Sequence, residues 1–175
     1  MTQLFTDRLI LTPVAAEDFD DIHRLWQEPG FHRAIGIDKP LSAEDVWARV
    51  LRDIGHWSVM TYGNWSLRLK AGGDYVGPVG ILNYRRNIDP PFDAPELGWG
   101  VATRYQGQGL AREALDAVLA HADSTLGLER TVCMISPDNA DSLKLADRVG
   151  FRPYSQASHR GDPVILLSRI LYAGH

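Results

Sequence analysis

Cysteine is nearly absent: Cys133 is the only one among 175 residues. A disulfide framework within the chain is therefore excluded, and a reducing, cytoplasmic setting is expected. No apolar run is long enough to cross a bilayer. The opening Met1-Thr2-Gln3-Leu4-Phe5-Thr6-Asp7 lacks the basic and apolar regions of a signal peptide. Basic charge is in the minority, 18 Lys and Arg against 22 Asp and Glu for a net charge of −4. That balance argues against nucleic acid or an anionic membrane as a partner and leaves room for a cationic or amine-bearing one. His23, His32, His56, His121, His159 and His175 show no metal-ligand spacing, so no metal site is expected. The P-loop pattern Gly-x-x-x-x-Gly-Lys-[Ser/Thr] occurs nowhere.

What is present reads as one α/β domain over residues 1–175, with 45% hydrophobic and 23% charged residues. Arg8 to Pro13 reads as a first strand. Phe19, Ile22, Leu25 and Trp26 give one apolar face to a helix over Glu17–Gln27, closed by Glu28-Pro29-Gly30. Ser42 followed by Asp45 has the capping pattern and opens a second helix with Val46, Val50, Leu51 and Ile54. Asn64–Lys70 alternates as a strand, Gly72-Gly73-Asp74 turns, and Val76–Tyr84 returns, with Pro78 marking an edge or a bulge. A proline-bearing loop over Asn87–Pro95 precedes a strand over Glu96–Ala102. A helix then runs from Leu110 to Leu126, its apolar face built from Leu110, Ala114, Leu115, Val118, Leu119 and Ala122, with His121 on its polar side. Thr131–Ser136 as strand, Ala140–Val149 as helix, and Phe151–Tyr154 and Val164–Leu171 as strands complete a mixed sheet.

The most informative segment is Gln106-Gly107-Gln108-Gly109-Leu110-Ala111, between a strand and a helix. Glycines there let a phosphate approach the backbone, and the helix start adds unpaired N–H donors and the positive end of its dipole. Two phosphate-bearing ligands compete. The dinucleotide fingerprint Gly-x-Gly-x-x-Gly gets Gly107 and Gly109 but has Arg112 in the third place. Glu129 lies at the ribose-acid spacing of about 20 residues. Antiparallel-looking strands before the motif, and a short stretch after it, count against that fold. The other ligand is coenzyme A, whose pyrophosphate needs the same cradle.

Five ordered blocks favour the second. Arg8-Leu9-Ile10-Leu11-Thr12-Pro13 with Trp26-Gln27-Glu28-Pro29, Glu96-Leu97-Gly98-Trp99-Gly100-Val101, Tyr105 to Leu115, Asn139-Ala140-Asp141-Ser142 and Asp147 to Arg152 resemble the ribosomal-protein-alanine N-acetyltransferase branch of the GNAT acyltransferases. The resemblance runs from about residue 6 to residue 170. It implies a GNAT fold, a mixed central sheet flanked by helices, and direct acetyl transfer from acetyl-CoA to an amine. Gln106, Gly107, Gln108, Gly109, Leu110 and Ala111 would hold the pyrophosphate through their backbone. Trp99 and Val101 would bond the pantetheine arm from a splayed strand. Asn139, besides capping its helix, would reach the cofactor.

Ser142 is expected to contact the cofactor and to protonate the departing thiolate, since Ala146 stands where many relatives carry a tyrosine. Glu96, facing the cleft by alternation with Gly98 and Gly100, is expected to relay a proton through water; its alternative is an exposed strand-end carboxylate. An α-amino group is substantially neutral near pH 7.5, so a strong base is unnecessary. Cys133 is a weak candidate nucleophile beside the apolar Met134. Trp26, Trp47, Trp57 and Trp65 are expected mostly in the core. The acceptor is a small-molecule amine or a protein N-terminus, selected by segments 31–40 and 85–95, and the enzyme is expected as a monomer or homodimer. A non-catalytic acyl-CoA-binding module and a dinucleotide-dependent oxidoreductase are the rival readings.

Overall fold

The computed structural model describes residues 2–171; the His175 expectation lies outside them. Eight strands form one sheet in the order β1-β2-β3-β4-β5-β6-β8-β7. The strands are β1 (Leu4–Phe5), β2 (Leu9–Pro13), β3 (Asn64–Leu69), β4 (Tyr75–Leu82), β5 (Glu96–Trp99), β6 (Arg130–Ile135), β7 (Arg152–His159) and β8 (Asp162–Ile170). Only β5 and β6 are parallel, joined through helix α4 (Leu110–Ser124), as a parallel pair requires. The mostly antiparallel order removes the doubly wound frame that a dinucleotide fold needs. Among the described residues, no helix is long and apolar enough to cross a membrane.

Strand alternation sorts the two faces. Leu9, Leu11, Trp65, Leu67, Val79 and Ile81 share a core with Leu115, Val118 and Leu119 of α4. Their neighbours point the other way, where Ser66 donates to Asp18 (2.7 Å) and Arg68 pairs with Asp18 and Asp21, both at 2.8 Å. Helices α1 (Phe19–Trp26), α2 (Pro29–His32) and α3 (Ala43–Met60) cover that second face. There Leu25, Trp26, Phe31 and Val46 cluster with Tyr75 and Ala102. Trp57 and Trp65 meet edge-to-face at 4.8 Å in the core, as expected of core tryptophans, whereas Trp47 is exposed. The α3 start follows the capping pattern: the Asp45 N–H donates to Ser42 Oγ at 3.1 Å.

Several elements differ from expectation for identifiable reasons. Glu28-Pro29-Gly30 ends α1 but also opens α2, because proline is compatible with the first helical position. Pro78 lies in an interior strand, so the bulge alternative holds; the register shifts opposite Leu67 and Arg68, and Gly77 has φ +151°. Regular β5 stops at Trp99, although Gly100 and Ala102 still donate to the Pro78 and Val76 carbonyls at 3.0 and 2.8 Å. β7 runs to His159, well beyond the expected Tyr154, as a polar edge strand hairpinned to β8 through Arg160 and Gly161. Its side chains give no hydrophobic alternation to read.

His121 is buried rather than on the polar side of its helix. It follows Ala114 and Val118 at helical spacing and meets the Trp65 ring edge-on at 5.8 Å, with Nε2 unpartnered. Burial lowers its pKa. The unfolded chain therefore binds a proton that the native one resists, so this residue is neutral to folding well above pH of about 6.5 and opposes it increasingly as pH falls below that value. His121→Phe keeps the edge contact and removes both the unpartnered nitrogen and the titration. The variant's melting temperature is expected to exceed the wild type's by more at pH 5.5 than at pH 8; an equal difference at both would contradict this.

Candidate functional site

The site starts where two parallel strands part. β5 and β6 share one register pair, Glu96 with Val132, and then separate. Even-numbered β5 residues bond β4, as the Gly100 N–H shows, so the N–H and C=O groups of Trp99 and Val101 face the gap. The Val101 carbonyl is taken by the Gln106 side chain (3.2 Å). The Trp99 and Val101 N–H groups have no acceptor among the described residues. Gly100 is required by proximity, since a Cβ there would lie 2.5 Å from the Phe31 ring.

The turn after β5 is a ring of donors. Gly107 and Gly109 have φ of +71° and +77°, a conformation costly for residues with a side chain. A Cβ on Gly107 would meet nothing, and one on Gly109 only Arg8 at 3.5 Å. The glycines thus set backbone direction and leave open space before the N–H groups. From Gly107 to Arg112 none of these N–H groups has an acceptor among the described residues; Glu113 makes the first bond, to the Gly109 carbonyl at 3.0 Å. The turn is braced from the N-terminal strand. Arg8 pairs with Glu113 at 2.7 Å and donates to the Gln108 carbonyl at 3.0 Å, while Thr6 donates to Glu113 at 2.5 Å. This brace explains why Arg8 belongs with the glycine motif, a link that sequence spacing does not show.

A cleft of about 610 Å³ joins the gap and the turn, lined by Phe31, Trp99, Val101, Tyr105, Gly107, Gly109 to Arg112, and residues of α5 (Ala140–Arg148), whereas the Gln108 side chain turns back to the Arg104 carbonyl at 2.9 Å. That volume lies in the range of small-molecule sites. Ser142 lines it half-buried, and its hydroxyl makes no hydrogen bond among the described residues. Asn139 accepts from the Ser142 N–H (3.1 Å) and donates to the Ala34 carbonyl (2.9 Å). The capping role is therefore present, and both ends of the amide already have partners within the protein. Ala146 is fully buried and brings no hydroxyl to the cleft. Lys144 and Arg148 line the wall with no ion-pair partner among the described residues. Sequence reading missed them because helix-surface cations carry no pattern.

Glu96 fits neither expectation for it as stated. It is 6% exposed, does not line the cleft, and both its oxygens accept from Arg86, at 2.7 and 3.0 Å. Arg86 comes from the proline-bearing loop and was not singled out by sequence. Beside it, Asp53 accepts from Tyr84 (2.5 Å), Asn64 (2.8 Å) and Arg52 (3.0 Å), tying α3 to the sheet. His159 Nδ1 is buried without a partner, and burial together with Arg86 and Arg160 lowers its pKa. Cys133 is buried, and burial with the nearby Glu96 charge pushes its thiol up, away from nucleophile chemistry. No cluster of potential metal ligands occurs among the described residues.

Known proteins resemble this chain in sequence and fold. The family model for the acetyltransferase (GNAT) domain matches residues 8–152. An uncharacterised N-acetyltransferase, p20, of Bacillus licheniformis is 26% identical over 99% of this chain and 100% of its own. The [ribosomal protein uS5]-alanine N-acetyltransferase of Escherichia coli is 32% identical over 42% of this chain and 38% of its own. The solved structure of a GNAT-family acetyltransferase from Bordetella pertussis superposes with a TM-score of 0.86 at 36% identity, covering 97% of this chain and 99% of that one.

The brace behind the turn is testable by itself. Burial raises the Glu113 pKa, but hydrogen bonds from Thr6 and Arg8 outweigh it and hold the carboxyl below its ordinary value. Its contribution is present above the ordinary value of about 4.3 and lost as pH falls through the lower folded value. With Arg8 half-exposed, Glu113→Gln is expected to cost about 1 kcal/mol in urea unfolding at pH 7. The difference should shrink towards pH 3; a pH-independent difference would contradict the ion-pair origin.

Proposed function

The chain belongs to the GNAT acetyltransferase family, and on that footing we propose that it transfers acetyl from acetyl-CoA directly to a primary amine, with residues 1–175 working as one catalytic unit. The observation that carries the donor assignment is the run of unpartnered N–H groups from Gly107 to Arg112, opening on a cleft of suitable size. These donors suit a pyrophosphate, and Lys144 and Arg148 supply unpaired cations for a further phosphate. The Gln106 side chain faces inward to Val101, so in this reading Gln106 contributes shape to the turn. The family's acetyl donor and a buried reduced Cys133 support a cytoplasmic setting.

In this reading the Trp99 and Val101 N–H groups hold the pantetheine arm, and one of them bonds the thioester oxygen as negative charge grows on it. The amine attacks the carbonyl carbon, the C–S bond breaks, and the sulfur takes a proton relayed through the Ser142 hydroxyl, which recovers one from water in the cleft. The proton lost by nitrogen leaves to water in the cleft, because Glu96 lies buried off that lining with both oxygens held by Arg86. Rate enhancement comes mainly from bringing donor and amine together, without an acyl-enzyme. A small-molecule amine and a protein N-terminus both satisfy this chemistry.

Two variants test the assignments. Gly109→Leu places a side chain in the ligand's space at a strain of about 1–2 kcal/mol. Loss of acetyl-CoA binding by calorimetry, with an unchanged circular dichroism spectrum, is expected; retained affinity would remove the cradle. Ser142→Ala should lower kcat at least tenfold while changing acetyl-CoA affinity little. Unchanged turnover would return Ser142 to a plain helix residue.

A further inference from the structure

Arg49 of α3 is a half-buried cation without an anion. Its guanidinium lies 4.7 Å from the centre of the Trp26 ring and makes no hydrogen bond or ion pair among the described residues. It lines a cavity of about 80 Å³ with Trp26, Arg52, Asp53, Asn64 and Pro78. Asp53 is the nearby carboxylate, but Tyr84, Asn64 and Arg52 already occupy it. Arg52 and Arg160, the latter at the β7–β8 turn, add like charge. Across this region Arg49, Arg52, Arg86 and Arg160 stand against Asp53, Glu96 and Asp162, and Arg86 and Arg52 are already paired with Glu96 and Asp53. In a protein that is acidic overall, the balance at Arg49 is local and positive.

Two contacts link the cavity to β5, where the proposed reaction takes place. Pro78 lines it and accepts the Gly100 N–H at 3.0 Å. Trp26, which carries Arg49, packs edge-on against Phe31 at 5.2 Å, and Phe31 in turn lies against Gly100 beside Trp99 and Val101. A desolvated guanidinium among like charges is unfavourable until an anion arrives, and its planar fork matches a carboxylate.

We propose that the acceptor carries a carboxylate close to its amine, and that Arg49 binds it. This rests on the acetyl-transfer reading above. Two sources share the chemistry: the α-carboxylate of a free amino acid, and an acidic side chain at the start of a peptide.

Thiol release from acetyl-CoA separates them with two matched sets. One pairs L-amino acids with their α-amides; the other pairs C-terminally amidated peptides beginning with Asp or Glu with those beginning with Asn or Gln. In one set the acid is expected to exceed its neutral partner at least tenfold in kcat/KM. Arg49→Met should raise KM for the acid at least tenfold and erase the preference. The Kd for acetyl-CoA and the melting temperature should stay near wild type, and Arg49→Lys should restore part of the preference. Equal use of acids and neutral partners by the wild type, or a preference that survives Arg49→Met, overturns the carboxylate site while leaving acetyl transfer standing. Acetyl-CoA binding without turnover of any amine would overturn both.

Discussion

The separation of β5 from β6 after a single shared pair is the constraint on which the rest depends. A parallel pair cannot be closed by a hairpin, so the chain must leave β5, cross the sheet as α4 and return as β6. Leaving the sheet at that point puts the α4 N-terminus, with its unpaired donors, beside the open edge of β5. The same separation leaves the Trp99 and Val101 N–H groups without a strand partner. One topological decision thus leaves two sets of unpartnered donors, at the α4 turn and on β5, along a single cleft. The remaining devices maintain it: the bulge at Gly77, the close approach at Gly100, and the Arg8–Glu113 pair that ties the turn to the far strand.

Charge is distributed against the net value of the chain. An overall charge of −4 coexists with unpaired Lys144 and Arg148 along the cofactor cleft and with Arg49 over the opposite cavity. Several buried or half-buried acidic residues are committed elsewhere, with Asp18, Asp53, Glu96 and Glu113 each holding a guanidinium. Net composition is a poor guide to such local charge. The low positive charge argues against a polyanionic partner and leaves room for an amine-bearing one, but it does not reveal the cation at Arg49.

The glycine turn of the candidate site was more legible in the sequence than the side-chain clusters around it, for a physical reason. A backbone cradle demands glycines at fixed places and a cap such as Asn139 at a helix start, so its requirements are written as residue types in order. The Ser42 cap, the α4 apolar stripe and the strand preceding the glycines were readable on the same grounds. Side-chain clusters assembled across the sheet leave no such trace. The Arg86–Glu96 pair, the environment of Asp53 and the placement of Arg49 over Trp26 join residues 10 to 31 positions apart or on different elements. The length of β7 was hidden because an edge strand with polar faces has no alternation to detect. His121 shows the complementary error, a polar residue at a core position of a helix.

The central claim is that the backbone N–H groups after β5 are a built anion site. Amide hydrogen exchange over residues 107–112 reads those groups directly, in the free protein and with saturating coenzyme A. Fast exchange in the free protein, with marked protection there and at Trp99 and Val101 on adding coenzyme A, is the expected result. Exchange unchanged by coenzyme A at these amides, or already slow without it, would contradict the claim.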